Sequence, residues 1–228
     1  SSLPLFENVL SKQLASYRAV FNSSPESTYL VAIRASDEDD GEAFENSFNQ
    51  VIVANEIEQR TIAWANTMGH EMFHYWNGNH VLAGKNKSNV EWFSEGFTEY
   101  YASLTLHRIG IIDQSTYFKK LEKYLARNFI TRRQWPMPAL SLVEAGKEKH
   151  KNWLQVYGGG AIVALMLDLQ IRTQTQGSKS LDDVMSLLAS TFRASEKRFT
   201  IDDILDAVNQ VSGQDYTAFF DTYVHGKD

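Results

Sequence analysis

The chain has 228 residues, 43% of them apolar, enough for a sizeable core in one large domain or two small ones. Its 22 basic against 28 acidic side chains give a formal net charge of −6 and no dense Lys/Arg stripe, which argues against a nucleic-acid partner; the mild acidity suits a cationic or amine-bearing ligand, although acidic surfaces more often serve solubility. Cysteine is absent, so disulfides and thiolate metal sites are excluded and any metal must be held by His, Asp or Glu, while no run of about eighteen apolar residues marks a membrane span.

Residues 1–26 predict a helix that turns at "NSSPES". "TYLVAIRAS" (28–36) is rich in β-branched and apolar residues and predicts a strand, "DEDDGE" (37–42) an acidic loop, and "NQVIVAN" (49–55) a second strand. From residue 56 the pattern turns helical. Asn55 with Glu58 three residues later has the form of a capping box opening a helix that runs through His74. Residues 90–110 form a second helix closed by Gly110, and "DQSTYFKKLEKYLARNF" a third. The polar stretch 132–152 predicts a loop, and "AIVALMLDLQIRTQT", apolar nearly all round, a buried helix. Ser180 with Asp183 opens one further helix, "TIDDILDAVNQVSG" repeats that grammar, and "DYTAFFDTYVHG" closes the chain. The start "SSLPLFENVL" has neither a charged nor an apolar leader region, so no signal peptide is expected there. It also lacks an initial Met, which suggests a processed chain or an excised domain. The compartment stays open between cytoplasm and periplasm for a soluble chain.

The stretch "NTMGHEMFHYWNGN" (66–79) carries the chemistry. Four residues advance a helix by about 400°, so His70 and His74 stack on one face roughly 6 Å apart, a spacing that lets two imidazoles grip one Zn²⁺. Glu71 points about 100° away, too far round to be a third ligand but able to reach water at the metal. The plain alternative is two ordinary helix histidines. A catalytic zinc needs three protein ligands and one open site. Glu95 in "EWFSEGFTEYY" supplies the third ligand from a second helix, with Glu91 as the rival a turn earlier. Glu99, a turn later, can accept the free N–H of a histidine and hold its tautomer, or can be a solvated helix acid. His80, His107, His150 and His225 have no second ligand at helical spacing, and "KEKHK" reads as a solvated loop.

These residues resemble the gluzincin zinc aminopeptidases. "HEMFHYWNGN" shares H-E-x-x-H-x-W-x-G-N with the aminopeptidase N and leukotriene hydrolase family, while "EWFSEGFTEYY" and "YGGGAIVALMLDLQIRTQTQGSKSLDDVMSLL" are closer to the glycyl aminopeptidase family. The resemblance spans about residues 41–228. The twenty residues between His74 and Glu95 exceed the spacing usual in the aminopeptidase N family, and the insertion falls in the loop "VLAGKNKSN", where extra length costs little.

The resemblance implies an α+β fold, a small N-terminal β-sheet followed by a mostly helical thermolysin-like catalytic domain. It divides the chain into a mixed α/β portion with an amine-recognition loop over 1–56 and a helical zinc-binding portion over 57–228, together one catalytic domain of a larger protein whose flanking domains are expected partners. It also implies one Zn²⁺ per chain on His70, His74 and Glu95, with Glu71 as general base. Two further roles come from it alone. Glu45 in "AFEN", 25 residues before His70, matches the family's glutamate for the substrate's α-amine, though Glu42 stands where the family has glycine. Tyr157, 62 residues after Glu95, matches the family's oxyanion-binding tyrosine, with Gly158-Gly159 where the family often has Glu-Lys. The implied substrate is a peptide with a free N-terminus, with small first residues such as Gly or Ala. A metalloendopeptidase, an epoxide hydrolase of the same fold and a non-catalytic metal-binding fragment remain as alternatives.

Overall fold

The structure is a computed structural model that describes residues 2–25, 28–134, 139–193 and 196–227. Helix α1 (Leu3–Phe21) leads into a three-stranded sheet of β1 (Leu30–Ser36), β2 (Asp40–Ala43) and β3 (Ser47–Val53), and the rest of the chain is helical. The fold is α+β, as the sequence predicts. The strand order is β1-β3-β2: β3 lies in the middle, parallel to β1 (Val31 opposite Phe48) and antiparallel to β2 (Gly41 opposite Gln50). The central strand is the buried one, with Phe48, Gln50, Val51 and Ile52 inside.

The acidic loop expected at 37–42 is in part the edge strand β2. An edge strand pairs on one side only and tolerates Asp, Gly and Glu that a central strand would not. The expected capping box at Asn55 is also not where the next helix starts. Residues Ala54–Glu56 make a single 3₁₀ turn, and α2 runs Thr61–Phe73 with His74 as its C-cap. The chain is held short of the helix by Asp39, whose carboxylate accepts from Arg60 Nε at 2.8 Å and from the Val53 amide at 3.2 Å.

The remaining helices are α3 (Glu91–Arg108), α4 (Gln114–Gln134), α5 (Leu142–Gly146), α6 (Gly160–Gln174), α7 (Leu181–Thr191), α8 (Ile201–Ser212) and α9 (Thr217–Tyr223). The loop expected at 132–152 begins as the end of α4 and contains α5, opened by a capping box between Ser141 and Glu144. Its residues 135–138, like 26 and 27 in "NSSPES", lie outside the described residues. The capping boxes expected at Ser180 with Asp183 and at Thr200 with Asp203 are both formed.

One hydrophobic core joins the sheet to the helices, from Val9 of α1 through Phe48 and Ile52 of β3 to Val224 beyond α9. Helices α3 and α6 cross at glycines: a Cβ on Gly96 would lie 2.4 Å from Gly160 Cα, and one on Gly160 would lie 2.1 Å from the Trp92 carbonyl oxygen. Among the described residues, one helical stretch, Leu154–Gln174, is long and apolar enough by composition to cross a membrane, but 56% of it is buried inside the protein. It is the core helix that the all-round apolar pattern predicts.

Candidate metal centre

Helix α2 is clamped along its own carbonyls. Gln13 of α1 donates to Ala65 O at 2.7 Å, Tyr17 to Gly69 O at 3.0 Å, and Gln50 of β3 to Trp64 O at 2.7 Å. Gln13, Tyr17 and Gln50 are fully buried, so the helix is held by buried polar contacts rather than by apolar packing alone. After α2, the Asn77 side chain donates to Phe93 O and Ser94 O at 3.2 and 3.3 Å, which ties the turn after His74 to the residues just before Glu95.

His70, His74 and Glu95 converge as the sequence predicts. His70 Nε2 and His74 Nε2 are 3.1 Å apart, and Glu95 Oε2 is 3.3 Å from the first and 3.2 Å from the second. A tetrahedral site with metal–ligand bonds of about 2.0–2.1 Å separates its ligand atoms by about 3.3–3.4 Å. The opposite ring nitrogens decide the donor set. His70 Nδ1 lies 3.0 Å from Glu99 Oε2, and His74 Nδ1 lies 3.0 Å from Asn77 O. A carboxylate and a carbonyl only accept, so both Nδ1 atoms carry hydrogen, and a cation that displaces any proton at Nε2 would meet a lone pair on each ring. Two ring nitrogens and a carboxylate oxygen thus face one point, among residues only 7–8% exposed. This arrangement fits a divalent cation with one free corner.

The electrostatics follow from that crowding. Burial alone would lower His70, but hydrogen bonds to Glu95 and Glu99 raise it well above its ordinary value. Burial alone would raise Glu95, but the charges and hydrogen bonds of the two histidines hold it well below the usual carboxylate range. Protons and a cation compete for the same point.

Glu71 lies beside this cluster. Its carboxyl is raised, by burial first, and the edge strand runs close to it: a Cβ on Gly41 would lie 2.6 Å from Glu71 Cγ. Tyr157 sits in a single π-helical turn (Leu154–Gly159) that opens into α6, and its ring stacks on His70 with centroids 5.9 Å apart. Burial, followed by the charges of Glu95, Glu71 and Glu91, pushes its phenol up, so it stays a donor at neutral pH. Glu99 accepts from His70 on one oxygen and from Tyr124 OH on the other.

Glu45 is not brought to the cluster. It stands in the turn between β2 and β3 with its side chain 75% exposed, and it pairs with His80 Nδ1 at 3.6 Å. Residue 45 follows β2 beyond the point where that strand passes Glu71, so its carboxylate leans toward the turn after α2. The stretch read as a solvated "KEKHK" loop contributes Lys149, whose Nζ lies 2.7 Å from Glu95 Oε1 and 3.3 Å from Glu91 Oε2. Tyr124 and Lys149 carry no local sequence signal. Each reaches the site from a separate element, 25 and 54 residues from its partner.

The comparisons with known proteins point the same way. A family model for M61 glycyl aminopeptidase matches residues 63–163, the segment that holds His70, Glu71, His74, Glu95, Glu99 and Tyr157 but not Glu45. A search of the curated proteins gave no match. A crystal structure of an aminopeptidase N family protein from Idiomarina loihiensis superimposes with a TM-score of 0.85 at 25% sequence identity. That match covers 100% of this chain and 43% of the other, so the chain spans less than half the length of this relative. Over its motif-bearing segment in sequence the chain resembles the glycyl aminopeptidase family, and over its whole length in fold it resembles a protein of the aminopeptidase N family.

Proposed function

We propose that the chain is the catalytic unit of a zinc aminopeptidase that removes residues from the N-termini of peptides. The observation that carries this reading is the meeting of two histidine Nε2 atoms and the Glu95 carboxylate at mutual distances of 3.1–3.3 Å, with a buried carboxylate, Glu71, beside them. The likeness to the glycyl aminopeptidase family and to an aminopeptidase N family protein supports the reaction class.

His70, His74 and Glu95 would hold the zinc. When bound, the ion supplies Lewis acidity, which acidifies water and polarises a scissile carbonyl. Glu71 accepts the proton of the attacking water on its carboxylate and returns it to the departing amine nitrogen. Its raised pKa suits a group that must take up a proton and give it back. Tyr157 keeps its proton and donates a hydrogen bond to the oxyanion as it forms. Glu99 and the Asn77 carbonyl keep both histidines in the tautomer that presents Nε2. The amine-holding role that the resemblance gives Glu45 is left out of this mechanism, because its carboxylate stands in the exposed turn with His80.

The test combines metal analysis with aminoacyl-anilide hydrolysis, with and without chelator. The expected result is one zinc per chain, activity that disappears on chelation, and a Glu71→Gln variant that binds zinc yet loses nearly all hydrolysis. Parental rates from that variant would overturn the assignment of the base. N-acetylated substrates cleaved faster than free-amine ones would make the protein an endopeptidase, and absence of zinc would leave a scaffold.

A further inference from the structure

The chemistry of the metal-facing residues leaves one buried contact unexplained. Lys149 stands in the turn after α5, its side chain 20% exposed, and reaches inward to two carboxylates one turn apart on α3. It bonds Glu95 Oε1 at 2.7 Å and Glu91 Oε2 at 3.3 Å. Glu91 is itself buried, 6% exposed, and among the described residues no hydrogen bond reaches its Oε2, so the ion pair with Lys149 helps offset its charge. The turn is anchored from both sides. Helix α5 packs against the turn Lys87–Val90 that leads into α3, Asn152 donates to Ala145 O at 3.3 Å, and Lys227 pairs with Glu144 at 2.8 Å. The Lys149 backbone is therefore placed by fixed elements rather than by the flexible side chain alone.

The two oxygens of Glu95 thus have different work. Oε2 faces the two Nε2 atoms at 3.2–3.3 Å, and Oε1 is held by the ammonium. A carboxylate free to rotate can offer both oxygens to one cation, which raises the coordination number and takes up the free corner. Resting on the metal reading above, we propose that Lys149, anchored on Glu91, is a positioning residue that restricts Glu95 to one-oxygen ligation and so keeps the fourth position open. Glu91 is then the counter-charge for Lys149, while Glu95 is the acid that meets the two histidines.

The Glu91→Gln/Lys149→Met double variant removes the buried pair without changing the local net charge, whereas Lys149→Met alone leaves the centre one charge more negative. That isolates orientation from electrostatic attraction. The readout is the visible absorption of the Co²⁺-substituted protein, which distinguishes four- from five-coordinate sites. The parent is expected to show the intense bands of a tetrahedral site. The double variant is expected to show bands weakened severalfold, the signature of Glu95 using both oxygens. If the double variant does not fold, Glu91→Gln/Lys149→Gln, which also keeps the local net charge and retains polar groups at both positions, gives the same reading. Unchanged tetrahedral bands in the folded variant overturn the inference alone. A parent that binds neither Co²⁺ nor Zn²⁺ overturns the function on which it rests.

Discussion

The Glu99 carboxylate sits between His70 Nδ1 and Tyr124 OH, and burial alone would make that charge costly. Hydrogen bonds from His70 and Tyr124, with the charges of His70 and Lys120, instead hold it at about 2. Glu99 therefore remains an acceptor across the whole range in which an imidazole is free to bind a metal. Glu99→Gln keeps the size of the side chain but gives His70 a weaker acceptor and a choice of tautomer. Zinc affinity, measured by competition with a chromogenic chelator, is expected to fall by about 10- to 100-fold. An unchanged affinity would show that the carboxylate has no part in presenting His70. This residue was legible in the sequence because it lies one helical turn from Glu95, and helical spacing fixes which side chains share a face. Tyr124 and Lys149 were not, because α4 and the turn after α5 meet the site only through tertiary packing. Glu45 shows the opposite failure. Its distance along the chain matches the family, but spacing alone does not fix which way a side chain in a turn points.

At the scale of elements, α2 carries the two histidines, α3 carries Glu95, and α6 crosses α3 beside them. There α6 meets α3 with Gly160 against Gly96, and the same approach carries Tyr157, three residues before Gly160, onto the His70 ring. A Cβ on Gly96 meets backbone atoms of Gly160 and Ala161 at 2.4–2.7 Å, which no side-chain rotation relieves. Gly96→Ala is therefore expected to cost at least the ~1–3 kcal/mol of an overpacked core. At roughly 2–4 °C per kcal/mol for a chain of this size, the thermal midpoint should drop by several degrees. Hydrolysis should fall further than stability predicts, because Tyr157 is pushed away from His70. A midpoint equal to the parent's would mean that the helices can part without strain. The sequence told little of this crossing. It did reveal the helices whose starts are written locally, at Ser180 with Asp183 and at Thr200 with Asp203. It misled at Asn55, where a cap-like pair lies in a 3₁₀ turn, and at Asp40–Ala43, where an edge strand carries the composition of a loop.

For the whole molecule, the question is whether metal and fold depend on each other. The sheet order β1-β3-β2, which pairs β1 with β3 in parallel, rests on contacts between distant segments, and periodicity along the chain could not reveal it. The core that results is continuous and rich in large buried side chains, among them Trp64, Trp76, Trp92, Tyr101 and Phe97, and it includes buried residues of both α2 and α3. Such a core does not need a metal to fold, unlike small domains whose only organising centre is zinc. Removing the metal should therefore leave the far-UV circular dichroism unchanged. It should still lower stability, because the cation binds the folded arrangement and not the separated ligands. At a free zinc concentration about 1,000 times the dissociation constant, binding adds about 4 kcal/mol, or on the order of 10 °C in the thermal midpoint. Stripping the protein with EDTA and adding zinc back in steps should raise the midpoint with the logarithm of the free metal. His70→Ala, which removes one ligand from a core that otherwise stays intact, should melt at one temperature whatever the zinc concentration. A parent whose midpoint ignores zinc, or a His70→Ala protein that responds as the parent does, would mean that the three lone pairs on α2 and α3 do not hold the ion.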